Sequence, residues 1–332
     1  MAPPAAPLFT IITPTLNASA TLEDAVCSAM GQGIECEHLI MDGCSSDRTL
    51  EIAHSFPHLT VHSGRDRGLY DAMNRGAFFA RGEWLIFLQA DDWLPEGTLA
   101  AFQAALEKNP AAEILTGSAE AVHQVGENLW ETRWQRTSDS DKALTVEKIA
   151  LGEPMLNARA IRKSLFKKAG PFDLAYSLAS DRDFLLKLTA LQPLAATIEV
   201  PTYRYRWHEG SRTMNAGNSL SRRLTAENLA IARKHLIDPS WAAEDRLSLR
   251  DWHSRQAIQS AMCALEAYDV FGFFKVLPSA VTHNPAWLLG FLREFGYGLL
   301  HWVGHGFKTR TQLSTTRAVK TPEGASRARP KL

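Results

Sequence analysis

Trp84-Leu85-Ile86-Phe87-Leu88-Gln89-Ala90-Asp91-Asp92 is an apolar run that ends in two adjacent carboxylates. Its apolar part does not alternate, so it reads as a central strand buried on both faces rather than a half-exposed one. Two aspartates side by side at the mouth of such a strand repel each other and lose hydration. A divalent cation with oxygen ligands, shared with a phosphate, is the usual relief. The plainer reading has one carboxylate capping the helix that begins near Pro95-Glu96 and the other facing water. Ligands of open α/β sheets gather at the carboxyl ends of strands, which makes Asp91 and Asp92 candidate metal ligands.

Around this strand the first half of the chain alternates strand and helix signals. Short β-rich runs fall at Phe9 to Thr13, His38 to Met41, Leu59 to His62 and Glu113 to Thr116. Helical spacing follows a capping-box pattern at Thr21-x-x-Asp24, an N-cap at Asp47, the segment Gly68 to Arg81, and Glu96 to Lys108. This succession predicts a mostly parallel α/β sheet with helices on both faces. Between Ser118 and Trp134 the pattern turns alternating, with a turn at Gly126-Glu127-Asn128, and predicts an antiparallel hairpin or extended insertion. Helices are expected at Thr145 to Leu151, Arg159 to Lys168 and Asp181 to Leu191, and throughout after about Ser219.

The expected division is an α/β region at 1–218, a C-terminal helical extension at 219–316 and a disordered basic tail at 317–332. The stretch 286–308 is Trp-rich and apolar with basic ends. It reads equally as a helix lying in a membrane interface, a helix packed on the catalytic region, or a dimer contact, and the basic tail behind it favours the membrane surface.

Composition narrows the class. At 332 residues, 45% hydrophobic and 22% charged, the chain is long and apolar enough for a sizeable core. Lys plus Arg balances Asp plus Glu at 36 each, so no nucleic-acid partner is expected. Cys27, Cys36, Cys44 and Cys263 form no C-x-x-C pair, which suits reduced thiols. The start MAPPAAPLFT lacks the regions of a signal peptide, and no uninterrupted apolar run reaches about 20 residues. A cytoplasmic protein, lying at the inner face of the plasma membrane if 286–308 binds it, is the expectation.

Three further acidic clusters stand where strands end or helices begin. Asp42-Gly43 closes the second strand; its carboxylate suits a base N–H or a ribose hydroxyl, and Gly43 permits close approach to the backbone. A lone Asp-Gly is otherwise a turn. Gly64-Arg65-Asp66-Arg67-Gly68 offers arginines for a diphosphate and Asp66 for a ribose or base, or else is a charged loop with a helix cap. Ser180-Asp181-Arg182-Asp183 opens a helix, where one aspartate is a cap and another could be a general base near a sugar acceptor. There is no dinucleotide fingerprint, P-loop or nucleophile elbow.

In these motifs the chain resembles the large inverting glycosyltransferase family with the GT-A fold, over about Phe9 to Asn215. Ile11-Ile12-Thr13-Pro14-Thr15-Leu16-Asn17 is similar to its opening strand, which implies nucleoside contacts from Thr13, Pro14, Thr15 and Asn17. Asp42-Gly43-x-Ser45-x-Asp47 resembles its base-binding loop. Asp66-Arg67-Gly68-Leu69-Tyr70-Asp71-Ala72-Met73-Asn74-Arg75-Gly76, with Gly82 and Trp84, resembles the colanic-acid-like branch, which implies donor contacts from Asp66, Arg67 and Asn74. Gln89-Ala90-Asp91-Asp92 sits at the D-x-D motif, with Gln89 in place of the first acid. That leaves Asp91 as the direct ligand of Mn or Mg, Asp92 as its support, and Gln89 as a ribose contact. Pro171-Phe172-Asp173 and Ser180-Asp181 match the stretch of the catalytic base, which implies Asp181. Asn157 stands where relatives carry His on this alignment.

The resemblance implies a GT-A, Rossmann-like sheet and transfer of a sugar, with inversion, from a nucleotide-diphosphate donor, UDP by default. The acceptor would be a glycan or lipid-linked glycan of bacterial surface polysaccharide synthesis. Two other readings remain at this point: a sugar nucleotidyltransferase, against which Asn17-Ala18-Ser19-Ala20 lacks a Gly-rich, Lys-bearing loop, and a non-catalytic sugar-nucleotide-binding scaffold.

Overall fold

The computed structural model describes residues 6–126, 129–136, 144–152, 155–207 and 218–266, all of them within a compact unit spanning Met1–Leu289. The sequence stretches 286–308 and 317–332 lie outside the described residues.

Strand β1 (Phe9–Thr15) is followed by α1 (Leu22–Met30), β2 (Glu37–Asp42), α2 (Thr49–His54), β3 (Leu59–Ser63), α3 (Leu69–Phe79), β4 (Trp84–Phe87) and α4 (Thr98–Lys108). These strands lie side by side in the order β3-β2-β1-β4, all parallel. The unbroken apolar character of β4 has a direct cause. Leu85 and Phe87 join the core on one face, while Trp84, Ile86 and Leu88 join the core on the other. Helices cover both faces: Ala72, Met73 and Ala77 of α3 enter the first core, and Leu99 and Phe102 of α4 the second. Gly76 lets α3 lie directly on β1, since a Cβ there would stand 2.3 Å from Ile12 Cγ2.

The second half is mixed. β5 (Ile114–Gly126) and β6 (Leu129–Arg136) pair antiparallel as the alternation predicts. Then follow α5 (Val146–Leu151), β7 (Arg159–Arg162), α6 (Lys163–Ala169), α7 (Ser180–Ala190), β8 (Ala195–Trp207), α8 (Asn218–Leu236) and α9 (Ala243–Glu266). β7 inserts antiparallel between β4 and β5, and β8 runs parallel to β5.

Three local expectations change. The helix expected over Arg159 to Lys168 begins only at Lys163, because the preceding four residues complete the sheet between β4 and β5. The Arg159 side chain is buried there, donating to Thr116 Oγ1 at 2.6 Å and Met155 O at 3.0 Å. β8 fills a stretch for which the sequence reading assigns no element. Thr21 makes no side-chain cap on α1, and the N-cap position of α2 is Arg48 rather than Asp47, which accepts the Thr49 N–H at 3.0 Å from one residue further out. Helices α8 and α9 send Ile231, Ala232, Leu249 and Trp252 into the same core cluster as Phe184 and Leu185 of α7.

Candidate active site

The carboxyl ends of β1, β2 and β4 meet on one edge of the parallel sheet, and the sequence motifs cluster there. Thr13 and Pro14 are buried within β1, and Thr13 Oγ1 lies 2.9 Å from His38 Nε2. Burial, reinforced by His58, pushes His38 down to about 3, so this contact involves a neutral ring. Thr15 sits at the rim, its backbone carbonyl accepting from Gly43 N at 2.9 Å. Beyond it the β1–α1 and β2–α2 loops are tied together. Asn17, exposed and with φ of 51°, accepts from Ser46 N at 2.8 Å, its own N–H donates to Ser45 Oγ at 2.9 Å, and Asp47 accepts from Ser19 N at 3.0 Å.

Asp42 is the hub of this arrangement. Its fully buried carboxylate accepts from Ser45 Oγ at 2.5 Å, Ser63 Oγ at 2.7 Å and Cys44 N at 3.0 Å. A nucleotide contact from the carboxylate itself would have to displace one of these bonds, each worth about 1 kcal/mol or more to a charged acceptor. Gly43 meets the next motif. A Cβ on it would lie 2.8 Å from Asp66 Oδ2, and Asp66 Oδ1 accepts from Gly68 N at 2.9 Å. The Arg67 side chain is exposed and pairs with Asp71 at 3.4 Å. Asn74 lies deeper. Its amide brackets the backbone of Phe172, donating to the carbonyl at 3.0 Å and accepting from the N–H at 2.9 Å. Both ends of that amide therefore join α3 to the Pro171-Phe172-Asp173 loop.

At the end of β4 the two aspartates have different environments. Asp92 is buried, with Oδ2 accepting from Tyr203 Oη at 2.7 Å and Oδ1 from Arg206 N at 2.9 Å. Burial, with Asp91 alongside, raises its carboxyl well above the usual carboxylate range. Tyr203 Oη also accepts from Gln89 N at 3.1 Å and Asn157 Nδ2 at 3.3 Å. One hydroxyl thus gathers Gln89, Asp92 and Asn157. Arg206 Nε donates to the Asp91 carbonyl at 2.9 Å, and its guanidinium lies over the Trp93 and Trp130 rings at 4.8 and 5.1 Å and pairs with Asp24 at 2.5 Å.

Asp181 opens α7. It accepts from Tyr70 Oη at 3.2 Å and Arg182 N at 2.8 Å. Burial raises its carboxyl above the ordinary range, opposed by the charge and N–H of Arg182 and by the Tyr70 hydroxyl. The turn before it is held from α8. The Glu227 carboxylate accepts from Leu178 N at 2.8 Å, Ala179 N at 3.0 Å and Ser177 N at 3.0 Å, satisfying N–H groups that the helix start leaves without partners. Asp183, two residues on, faces away into a salt-bridge cluster with His235 and Lys234, each at 3.0 Å.

The residues permit a test of metal fit. Among the described residues, no three His, Cys, Asp or Glu side chains converge on a point that could hold an ion. Both Asp92 oxygens already accept protein hydrogen bonds, and the half-buried Asp91 stands beside it at the strand mouth. One carboxylate with the oxygens of a diphosphate suits a magnesium-type ion carried by substrate, and the residues fit that arrangement rather than an all-protein cage.

A model of the family described as glycosyl transferase family 2 matches residues 10–170. A PGL/p-HBAD biosynthesis glycosyltransferase of Mycobacterium tuberculosis is 37% identical over 190 residues, 55% of this chain and 70% of that protein. This chain belongs to glycosyl transferase family 2. An uncharacterized glycosyltransferase of Haemophilus influenzae is 31% identical over 186 residues, 54% of this chain and 62% of its own length. Among solved structures, Staphylococcus aureus TarS 1-349 in complex with UDP-GlcNAc aligns with a TM-score of 0.53 at 16% identity, over 82% of this chain and 90% of that one. The mannosyltransferase PcManGT of Pyrobaculum calidifontis, in complex with GDP-Man and Mn2+, aligns with a TM-score of 0.55 at 18% identity, over 90% and 81%. These likenesses show the GT-A fold. The chain is a glycosyltransferase, which removes the nucleotidyltransferase reading.

Residues that sequence reasoning passed over complete the candidate site. Tyr203 and Arg206 lie in β8, where Tyr203-Arg204-Tyr205-Arg206-Trp207 alternates as a strand would. Tyr70 stands inside a quoted motif, but nothing local ties it to Asp181. Glu227 carries no sequence signal.

Proposed function

We propose that this glycosyltransferase moves a sugar, with inversion, from a nucleotide-diphosphate donor to a hydroxyl of a cell-envelope glycan or lipid-linked glycan. The observation that carries the reading is the half-buried Asp181 carboxyl at the start of α7, raised by lost hydration and held by the Tyr70 hydroxyl at 3.2 Å. A carboxylate shifted toward neutral pH suits a general base. Asp181 takes the proton of the acceptor hydroxyl as that oxygen bonds to the anomeric carbon. The bond from that carbon to the diphosphate breaks on the opposite side, and a nucleoside diphosphate leaves. Mn or Mg, when bound, neutralises charge on the leaving diphosphate. Asp91 would hold it, and Asp92 fixes the strand end through Tyr203 and Arg206.

Thr15, Asn17 and Gly43 shape the nucleoside end, with Asp42 acting mainly through the turn it braces. Asp66, Arg67 and Gln89 face ribose and diphosphate, while Thr13, Pro14 and Asn74 support from beneath. UDP is the default nucleotide, and the complexes of the two solved neighbours with UDP-GlcNAc and GDP-Man frame the choice. The relative named for PGL/p-HBAD biosynthesis favours a cell-envelope glycolipid or polysaccharide acceptor. Among the described residues no helix is long and apolar enough to cross a membrane. The proposed location is the cytoplasm, at the inner face of the plasma membrane through 286–308. Residues 1–218 form the catalytic region, 219–316 a helical region and 317–332 a basic tail.

The test is release of nucleoside diphosphate from UDP-glucose, UDP-GlcNAc and GDP-mannose by the purified full chain with Mn, alongside thermal stabilisation by each. Release that chelation abolishes is expected. No release from any of the three, with stabilisation by at least one of them, would overturn the transfer reading in favour of a sugar-nucleotide-binding scaffold.

A further inference from the structure

The helix that carries the proposed base has no side-chain cap of its own. Ala179 stands at the N-cap position of α7, and its methyl group cannot accept a hydrogen bond. Ser180 Oγ, next in line, is buried without a partner and does not take its place. The acceptor comes instead from α8. Glu227 Oε1 accepts from Ser177 N at 3.0 Å and Ser177 Oγ at 2.9 Å, and Oε2 accepts from Leu178 N at 2.8 Å and Ala179 N at 3.0 Å. One carboxylate thus receives four donors from three consecutive residues.

Helix packing does not require this arrangement. Ile231 and Ala232 of α8 already share a core with Phe184 and Leu185 of α7, and Lys234 and His235 pair with the buried Asp183. What Glu227 adds is the location of the turn that leads into Asp181. That turn is joined to the base through one hydroxyl. Tyr70 Oη donates to Leu178 O at 3.3 Å and to Asp181 Oδ1 at 3.2 Å. Leu178 is therefore held on both sides, its N–H by Glu227 and its carbonyl by Tyr70. A turn that moves draws the shared hydroxyl away from the carboxylate it orients.

We infer that Glu227 is a positioning residue for sugar transfer: from α8 it fixes the Ser177-Leu178-Ala179 turn, and through that turn the place and aim of Asp181. Glu227 acts on the turn and not on donor or acceptor. The helical region past residue 218 then belongs to the catalytic unit. This role rests on the assignment of Asp181 as the base, and the two fail separately. Asp181→Asn tests the assignment; an inactive Asp181→Asn protein beside fully active Glu227 variants fails only the role of Glu227.

The experiment uses the purified full chain with Mn and whichever of UDP-glucose, UDP-GlcNAc and GDP-mannose it hydrolyses fastest, with water as the acceptor. Diphosphate release gives kcat and KM, and calorimetric titration gives donor affinity and the number of folded sites. Glu227→Ala removes every acceptor, while Glu227→Gln keeps one oxygen and turns an amide NH2 toward the remaining donors. Misplacing a reacting group by about 1 Å costs about 100-fold, so kcat per folded site should fall roughly ten- to 100-fold in Glu227→Ala. Glu227→Gln should show a smaller fall, and it keeps the test open if Glu227→Ala does not fold. KM and donor affinity should stay within about twofold in both, because the donor-binding groups are untouched. Lys234→Gln is the structural control: it loosens the α7–α8 contact at Asp173 and Asp183, makes no hydrogen bond to the turn, and should keep kcat within about twofold. Unchanged kcat in both Glu227 variants, a fall matched by lost donor-binding sites, or an equal fall in Lys234→Gln would overturn the role of Glu227. No release from any donor by the unaltered protein would remove the transfer reading and this role with it.

Discussion

The Tyr70 hydroxyl donates to Asp181 Oδ1 at 3.2 Å, joining residues 111 positions apart. Tyr70 is 7% exposed, and burial together with the Asp181 charge holds its own phenol well above the ordinary value. The bond is therefore a neutral donor aimed at the charged form of the proposed base. It couples the 66–76 motif to the start of α7.

Removing that donor should move a pH profile. Tyr70→Phe deletes a bond that lowers the Asp181 pKa, so the acidic limb of kcat/KM should shift upward by roughly one pH unit, for a bond worth about 1.4 kcal/mol. Stability has the matching sign. With its folded pKa raised, Asp181 costs nothing below its ordinary 3.8 and subtracts stability as pH rises through the raised value. An unmoved acidic limb would remove Asp181 as the group it reports.

Asp181→Asn and Asp91→Ala should separate chemistry from donor binding. The first should abolish transfer, by about 100-fold or more, with donor affinity nearly unchanged. The second should weaken Mn-dependent donor binding. Calorimetric titration of donor beside a transfer assay distinguishes them, and a fully active Asp181→Asn protein would sink the assignment.

Tyr203→Phe should cost about 1–3 kcal/mol, because it strips a donor from buried Asp92 and an acceptor from Gln89 N and Asn157. That hydroxyl favours ionised Asp92, so the loss should be smallest near the ordinary carboxylate value of 3.8 and grow as pH rises through the raised value of Asp92. Urea denaturation at several pH values measures it.

Asp183→Asn addresses stability alone. Burial opposes ionisation of Asp183, yet hydrogen bonds from His235 and Lys234 win and hold its carboxyl below the ordinary 3.8. A depressed carboxyl contributes stability above that value and loses it as pH falls through the lowered one. The variant should be less stable by about 3 kcal/mol at neutral pH, discounted because the Lys234 side chain is 41% exposed. Its acid unfolding should be correspondingly flatter.

Gly43→Ala should weaken nucleotide binding more than it weakens the fold. The added methyl would stand 2.8 Å from Asp66 Oδ2 on a partly exposed loop, which can shift without opening the core. Thermal stabilisation by UDP should shrink while the melting temperature of the free protein changes little.

Some of this was legible because it is local. The apolar run at β4 marks a strand buried on two faces, and Asp-Gly and Ser-Asp mark a turn and a helix start, since backbone sterics and capping act over a few residues. β7 escaped because four residues acquire strand geometry only between β4 and β5, which supply hydrogen bonds on both sides. Asn74 illustrates a different limit. Its place in a motif suggested a ligand contact, but its amide is spent on the Phe172 backbone, 98 positions away.

The sequence by itself determined the α/β class, the parallel order of strands and helices in the first half, and the acidic clusters at Asp42, Asp66, Asp91–Asp92 and Asp181. Periodicity and turn chemistry carry that information within a short window. Only the tertiary structure decided how the two adjacent aspartates divide their roles. Tyr203 and Arg206 reach Asp92 from β8, 111 and 114 positions along the chain, and take both its oxygens. Asp91 keeps its place at the strand mouth. A burial cost is fixed by whatever packs around a carboxylate, and no neighbour in sequence supplies that.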